Sequence, residues 1–202
     1  MSRVALFLNG IAPAKLPKLD QFDAIYCTDG AYHYMEKLKI KPDVVTGDFD
    51  SISPDVIAEN IEVILTPDQD FTDFEKALQI IEQRKIEEVY IYGSSGMEHD
   101  HFLGNLSTGV KYKDRMALLF FDDYSYFFFA DKKTVLEGYQ NRIISLYPFP
   151  EANKITTKGL KYPLIAEDLN MMSRIGIRNT AIEDEVIIEY ESGNLLIFIK
   201  NA

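Results

Sequence analysis

Two aspartates separated by one residue, Asp48 and Asp50, are the side chains of this sequence best placed to share a metal ion. They lie in the run Gly-Asp-Phe-Asp-Ser at residues 47–51. In an extended segment, residues two apart point the same way, so both carboxylates can bind one hard divalent cation. An Asx-turn leading to a helix that Ser53 caps and Pro54 begins is the structural alternative, and both can hold at once. Asp-x-Asp alone also occurs in metal-dependent glycosyltransferases and phosphatases.

The clearest predicted helix, residues 72–85, begins with a second set of polar side chains. Thr72 and Glu75 form a Thr-x-x-Glu capping box at its N-terminus. The unpaired N–H groups of a helix N-terminus attract anions, and Lys76, one turn further on, can reach a phosphate placed there. Asp73 either interacts favourably with the helix dipole or supplies another metal ligand. Lys76 is either a phosphate contact or a solvated surface lysine.

A third polar segment follows the strand predicted at residues 89–92. The Gly-Ser-Ser-Gly loop at residues 93–96 lets the backbone approach a ligand closely, although it is not a Walker loop. Asp100 is interpreted as a helix N-cap or as a catalytic carboxylate that accepts a proton.

The elements that must position these residues alternate between strand and helix in the first half of the chain. Short apolar runs ended by turn residues predict the strands, and a parallel sheet covered by helices on both faces follows from their alternation with helices. The polar segments all follow predicted strands, so they meet at the carboxyl edge of the sheet, where ligands bind in open α/β folds. The strands are predicted at residues 4–8, 24–27, 44–45, 61–65 and 89–92, and the helices at residues 32–38, 72–85 and 100–111.

The second half of the chain has the pattern of an all-β sandwich. Short strand-like runs alternate with turn signals, and only residues 166–172 look briefly helical. We therefore predict two domains, an α/β domain over residues 1–120 and a β-sandwich over residues 121–202.

Composition excludes several classes of protein. The net charge of −11 argues against nucleic acid or an anionic membrane as the main partner. No apolar run approaches the roughly 20 residues of a membrane-spanning helix, and no signal peptide is evident. A single cysteine, Cys27, excludes an internal disulfide and fits a reducing cytoplasm.

Taken in order, these segments resemble the thiamine pyrophosphokinase (thiamin diphosphokinase) family over nearly the whole chain. The matching motifs include Gly-Asp-Phe-Asp-Ser at residues 47–51 and Asp-Gln-Asp-x-Thr-Asp-x-x-Lys at residues 68–76. The remaining matches are Asp-Gly-Ala at 29–31, Gly-x-x-Gly at 93–96 with Asp100, His101 and Asn105, Thr-Thr-Lys-Gly-Leu-Lys-Tyr-Pro-Leu at 156–164, and Gly-x-x-Asn at 176–179.

The resemblance implies an enzyme that transfers the pyrophosphoryl group of ATP to thiamine, using Mg²⁺ and releasing AMP. It also implies a Rossmann-like N-terminal α/β domain, a C-terminal β-sandwich, and a cytoplasmic homodimer with its active sites at the subunit interface. Carried over by position, the implied metal ligands are Asp48, Asp50 and Asp73, with Asp29 supporting them. The other implied site residues are Asp100 near the reacting groups and the substrate contacts Gln69, Thr72, Lys76, His101, Asn105 and Asn179.

Two positions depart from the family pattern. Residues 96–101 read Gly-Met-Glu-His-Asp-His, so Glu98 stands where the family usually has a phosphate-facing arginine. Arg178 precedes Asn179 where the family has a serine. The alternatives are a pyrophosphokinase for another alcohol, such as a hydroxymethylpterin, and a non-catalytic thiamine- or nucleotide-binding protein. A glycosyltransferase is the third alternative.

Overall fold

A computed structural model of the chain describes residues 2–50 and 52–201, and Ser51 of the predicted metal-binding motif lies outside them. The chain divides into two compact units, residues 1–123 and residues 124–202. Within the described ranges, no helix combines the length and the apolar character that crossing a membrane requires. The mixed α/β fold predicted from the sequence is confirmed.

The described residues of the first unit form six parallel strands, β1 (Arg3–Phe7), β2 (Ala24–Thr28), β3 (Val44–Gly47), β4 (Glu62–Leu65), β5 (Glu88–Tyr92) and β6 (Ala117–Phe121). Their order in the sheet is β4-β3-β2-β1-β5-β6. This order places β1 in the interior of the sheet, between β2 and β5. The helices are α1 (Asp29–Lys37), α2 (Asp73–Gln83) and α3 (His99–Tyr112).

The core of this unit explains why β1 contains a continuous apolar run rather than an alternating one. Residues 4–7 of β1 are all buried, as is expected for a strand whose two faces are both covered. Cys27, on the neighbouring strand β2, is fully buried, and this burial raises the pKa of its thiol well above the usual range. The interior strands β1 and β2 therefore pack into the core immediately before the polar residues that follow them.

In its described part, residues 124–201, the second unit contains strands and no helix. The strands are β7 (Ser125–Phe129), β8 (Lys133–Glu137), β9 (Ile143–Lys158), β10 (Glu167–Asn170), β11 (Gly176–Thr180), β12 (Glu185–Glu189) and β13 (Ser192–Lys200). β9 is the longest of them, and it pairs antiparallel with β10, β11, β12 and β13 along its length. β13 also pairs with β7, and β12 with β8.

Two local predictions are wrong. The segment predicted to be briefly helical, residues 166–172, contains strand β10, because its backbone pairs with β9. The helix predicted to begin at Pro54 is a single 3₁₀ turn, Pro54–Val56, although Ser53 does cap it by accepting a hydrogen bond from the Asp55 amide. Long-range pairing with β9 therefore determines the conformation of the first of these segments.

Candidate active site

Polar residues follow several parallel strands where these end at one edge of the sheet. Thr28 ends β2 and Gly47 ends β3, and the register pairs Thr28 with Thr46, the residue before Gly47. On the other side of β2, Phe7 pairs with both Cys27 and Tyr92, so the ends of β1, β2 and β5 lie level. The predicted convergence of these segments at the carboxyl edge is therefore observed.

Three carboxylates meet at this edge. Asp29, Asp48 and Asp50 each offer an oxygen atom, and these atoms all lie within 4.8 Å of one another. Among the described residues, Asp73 falls outside this group. Like charges at such distances repel, so the arrangement has the chemistry of a site for a hard cation with oxygen ligands.

The backbone brings Asp48 and Asp50 together in a different way from the predicted one. The segment is not an extended strand, because β3 ends at Gly47 and Phe49 has a φ of 60°, in the left-handed region. The amide of Asp50 donates to Asp48 Oδ1 over 3.2 Å, as in an Asx-turn. The turn that was the structural alternative is therefore present, and it also gathers the carboxylates.

Asp29 is the buried member of the carboxylate group. Its oxygens accept hydrogen bonds from the amides of Gly30 at 2.8 Å and Phe49 at 3.0 Å. Burial raises the pKa of Asp29 in spite of these bonds, and the charges of Asp73 and Asp48 raise it further. A Cβ atom on Gly47 would lie 2.4 Å from Asp29 Cγ, so glycine is required beside this carboxylate.

Asp48 is held from the opposite side by Gln69. The Gln69 amide donates from Nε2 to Asp48 Oδ2 over 2.9 Å. This hydrogen bond, together with that from the Asp50 amide, lowers the pKa of Asp48. The neighbouring members of the group therefore differ, because hydrogen bonding lowers the pKa of Asp48 whereas burial raises that of Asp29.

The N-terminus of α2 forms the next part of the site. Thr72 is its N-cap and accepts from the Glu75 amide over 3.2 Å, so half of the predicted capping box is present. The Glu75 carboxylate does not complete the box, because it accepts a hydrogen bond from Lys111 instead. The helix nevertheless begins where the sequence predicts.

Lys76 is buried, at 5% exposure, so its interpretation as a solvated surface lysine is wrong. Its ammonium donates to the carbonyls of Thr66 at 2.9 Å and Asp68 at 3.1 Å. Asp73 Oδ1 lies 2.8 Å from the same nitrogen. Lys76 thus anchors the loop before α2. Of its three contacts, the one with the partly exposed Asp73 is the contact that a ligand could replace.

The first turn of α3 carries exposed titratable groups. Glu98 is the N-cap residue of α3, although its side chain makes no capping hydrogen bond. The interpretation of Asp100 as the N-cap is therefore wrong. The Asp100 carboxylate instead accepts from the His101 amide at 3.0 Å, and His101 Nε2 lies 3.5 Å from Glu98 Oε2. Further along, Asn105 donates to the Ser94 carbonyl at 2.8 Å and so fixes the Gly/Ser loop.

A cavity of about 400 Å³ lies at this edge of the sheet, lined entirely by residues of the first unit. Its wall includes most of the predicted site residues, namely Asp48, Gln69, Thr72, Asp73, Lys76, Asp100, His101 and Asn105. Sequence reasoning missed further lining residues, namely Asn9, Gly10, Thr28, Phe71 and Met97, whereas Ser94 and Ser95 belong to the Gly/Ser loop that the sequence predicts beside a ligand. The rule that ligands bind beyond the strand ends would have found two of the missed residues, because Asn9 lies two residues after β1 and Thr28 ends β2.

Asn179 lies in the second unit, on β11, and its side chain contacts the backbone. Its Oδ1 accepts from the amides of Tyr162 at 3.1 Å and Thr180 at 2.8 Å, while its Nδ2 donates to the Tyr162 carbonyl at 2.7 Å. Neighbouring Arg178 has a φ of 59°, and its amide donates to Ser145 Oγ. Asn179 therefore fixes the segment around Tyr162.

Comparison with known proteins identifies two matching family models. The model described as thiamin pyrophosphokinase, catalytic domain, matches residues 17–120, and the one described as thiamin pyrophosphokinase, vitamin B1 binding domain, matches residues 133–195. The first match covers more than half of the chain.

Individual relatives agree with the family models. Thiamine pyrophosphokinase of Bacillus subtilis is 28% identical over 166 residues, 77% of each chain. Thiamin pyrophosphokinase 1 of Caenorhabditis elegans is 33% identical over 96 residues, which are 43% of this chain and only 40% of that relative. The crystal structure of the Bacillus subtilis protein superposes with a TM-score of 0.84 over 99% of both chains, at 23% identity, and shows that the fold is shared.

Proposed function

Because this chain belongs to the thiamin pyrophosphokinase family, we propose that it transfers the pyrophosphoryl group of ATP to the hydroxyl of thiamine, with thiamine diphosphate and AMP as products. The observation that carries this proposal is the convergence of three carboxylates beside a cavity that also includes the N-terminus of α2. Reactions at phosphorus depend mainly on positioning and on charge stabilisation, and this edge of the sheet supplies groups for both.

The carboxylate group fits Mg²⁺. All three donors are carboxylate oxygens, the ligands that this cation prefers, and a cation bound beside the buried Asp29 would stabilise its ionised form, which burial disfavours. We propose Asp29, Asp48 and Asp50 as its ligands, with Asp73 as a nearby charge that strengthens binding. When bound there, Mg²⁺ would neutralise negative charge on the phosphate oxygens of ATP.

The reaction joins the hydroxyl oxygen of thiamine to the β-phosphorus of ATP and breaks the bond from that phosphorus to the α,β-bridging oxygen, which leaves with AMP. We propose that the exposed carboxylate of Asp100 accepts the hydroxyl proton. Thr72 and the first amides of α2 bind phosphate oxygens. The Lys76 ammonium holds the loop through the carbonyls of Thr66 and Asp68. It contacts a phosphate oxygen only when that oxygen replaces the carboxylate of Asp73. Gln69 keeps Asp48 in place and ionised.

We propose separate roles for the two domains predicted from the sequence, whose boundary at residue 120 lies close to the boundary between the two compact units. The first, residues 1–120, is proposed to be a Rossmann-like domain with helices on both faces of its sheet, which binds ATP and Mg²⁺. The second, residues 121–202, is proposed to be a β-sandwich that binds thiamine beside the segment that Asn179 fixes, in agreement with the vitamin B1 binding domain matched there. We further propose a cytoplasmic homodimer with active sites at the subunit interface, and light scattering of the purified protein tests the dimer directly.

The activity is tested by incubating the protein with ATP, Mg²⁺ and thiamine and separating the products by chromatography. We expect AMP and thiamine diphosphate to form in equal amounts, and formation of both to stop when EDTA removes the metal. Omitting thiamine is the matched control for ATP hydrolysis. The proposal is wrong if AMP does not form with thiamine, and turnover with a hydroxymethylpterin alone would identify a different pyrophosphokinase.

A further inference from the structure

Unpaired buried hydroxyl groups mark positions where a ligand can complete the hydrogen bonding. In the described part of the chain, four buried hydroxyl oxygens have no hydrogen-bond partner, those of Thr28, Thr46, Thr66 and Ser94. Leaving such a group unpaired costs free energy, so a native protein retains few of them. Thr28 and Ser94, each only 3% exposed, also line the cavity.

Thr28 differs from the other threonine N-cap of this unit. Thr28 caps α1 and Thr72 caps α2, with nearly the same extended backbone, φ −75° and ψ 155° against φ −67° and ψ 156°. The Thr72 hydroxyl accepts an amide of its helix, whereas the Thr28 hydroxyl makes no capping bond. An N-cap threonine normally accepts such a bond, so the first turn of α1 leaves this hydroxyl available.

Ser94 is fixed by its backbone while its side chain stays unpaired. Its carbonyl accepts from Asn105 Nδ2 at 2.8 Å, and the next carbonyl, that of Ser95, accepts from the Ile11 amide at 2.9 Å. A Cβ atom on Gly10 would lie 2.6 Å from the Ser95 oxygen, so the loop lies closely against the chain after β1. The loop therefore fixes the Ser94 backbone at the cavity wall while its hydroxyl stays without a partner.

The sheet places these two residues on either side of the end of β1. Cys27 and Tyr92 both pair with Phe7. Thr28 is the residue after Cys27, and Ser94 lies two residues after Tyr92. Two strand spacings of roughly 4.8 Å each separate β2 from β5. One extended polyphosphate can bridge such a distance, whereas a single phosphate cannot.

We propose that the hydroxyls of Thr28 and Ser94 are further substrate-binding groups, which donate hydrogen bonds to the phosphate oxygens of ATP. This inference rests on the proposed function. Neither hydroxyl has a hydrogen bond to lose, so a change of χ1 rotamer toward the cavity breaks none. The dipole of α1 favours an anion beside Thr28 and disfavours the thiazolium cation of thiamine. Asp29, the next residue, belongs to the group proposed to bind the cation that accompanies the phosphates.

The chain offers a matched control for a test. Thr28→Val and Ser94→Ala each remove a hydroxyl with little change in shape, and Thr46→Val does the same at a residue that is 1% exposed and outside the cavity wall. The measurement is calorimetric binding of a non-hydrolysable ATP analogue with Mg²⁺. The KM values for ATP and for thiamine and the unfolding temperature are measured alongside.

We expect Thr28→Val and Ser94→Ala each to weaken analogue binding about tenfold, equal to about 1.4 kcal/mol, and to raise the KM for ATP but not that for thiamine. Thr46→Val should bind as the unchanged protein does. None of the three should lower the unfolding temperature, because each removes an unsatisfied buried group. Loss of binding without loss of stability separates a ligand contact from a structural role.

Unchanged analogue affinity in both cavity variants overturns the inference, and AMP formation by the unchanged protein would then leave the proposed function intact. An equal rise in the KM for thiamine overturns the assignment to phosphate. If the unchanged protein forms no AMP, the proposed function fails, and the calorimetric comparison with Thr46→Val still decides whether these hydroxyls bind the nucleotide.

Discussion

The carboxylate group of the first unit and the Asn179 region of the second unit use polar side chains in opposite ways. Asn179 has partners for both side-chain atoms, all of them backbone groups of Tyr162 and Thr180. Asp29, Asp48 and Asp50 instead place negative oxygens within 4.8 Å of each other. The Asn179 contacts stabilise the fold by themselves. Asp29 and Asp48 also accept hydrogen bonds, but these leave three carboxylates side by side, an arrangement that a bound cation would stabilise.

This difference separates residues that support the structure from residues that await a ligand. A side chain with complete hydrogen bonding gains little from a ligand and costs stability when it is removed. A side chain in an incomplete or repulsive arrangement costs little stability when removed, yet its loss weakens ligand binding. Each of the following substitutions tests on which side of this division a residue lies.

The largest expected effect is that of Asp50→Asn. It removes one charge from the carboxylate group, so metal-dependent turnover should fall by more than about 100-fold, since even residues that only support metal ligands account for 10- to 100-fold. The unfolding temperature should stay the same or rise, because repulsion decreases. Initial rates across a Mg²⁺ titration measure the first effect and thermal unfolding the second. Asp20→Asn, at an exposed position of the same unit, is the charge-matched control.

Lys76→Met should affect both stability and activity. The substitution leaves the carbonyls of Thr66 and Asp68 without their donor, so we expect the free energy of unfolding to fall by about 1–3 kcal/mol. Urea denaturation measures this change, with Lys37→Met at an exposed position of α1 as the control. Unchanged stability together with a raised KM for ATP would show that Lys76 acts mainly as a phosphate contact.

Asn179→Ala tests the second unit. The loss of its contacts with Tyr162 should lower the free energy of unfolding by about 1 kcal/mol, because solvent can satisfy part of the exposed backbone. Denaturation and the KM for thiamine are measured on the same preparation. If the KM for thiamine rises while stability is unchanged, Asn179 behaves like the carboxylates and the comparison fails for this residue.

The smallest expected effect is that of Gly104→Ala, in the interior of α3. A Cβ atom there would meet nothing within 4 Å, so alanine should stabilise the helix by about 0.5–1 kcal/mol. Gly104 also lines the cavity, and a loss of ATP-analogue affinity in this more stable variant would show that the ligand packs against α3. Ser107→Ala, at an exposed position of the same helix, should leave the affinity unchanged.

Much of the first unit could be predicted because local patterns agree with the fold. Apolar runs ended by turn residues predicted five of its parallel strands. Because the carboxyl ends of parallel strands lie at one edge of the sheet, the aspartates that follow them were predicted to lie at that edge. The conformation of Phe49 could not be predicted, since a left-handed phenylalanine has no sequence signal. The complete hydrogen bonding of Lys76 was also hidden, because its acceptors are backbone carbonyls of a loop.

The second unit was harder to predict because its strands depend on distant partners. Pro148 and Pro150 cannot donate to a ladder and argue against one continuous strand, yet β9 runs through both of them from Ile143 to Lys158. Its pairing with β13 and β10 on either side of the prolines maintains the strand. The same pairing makes a strand of residues 167–170, whose sequence alone suggests a short helix.

The burial of Cys27 has a practical consequence for spectroscopy. Because the one thiol of the chain is fully buried and its pKa is raised, maleimide reagents will find little thiolate in the folded protein. The natural sequence therefore already serves as a background for site-specific labelling. A cysteine introduced on an exposed loop beside the cavity would carry a single fluorophore, and its emission would report each binding step without any change to the core.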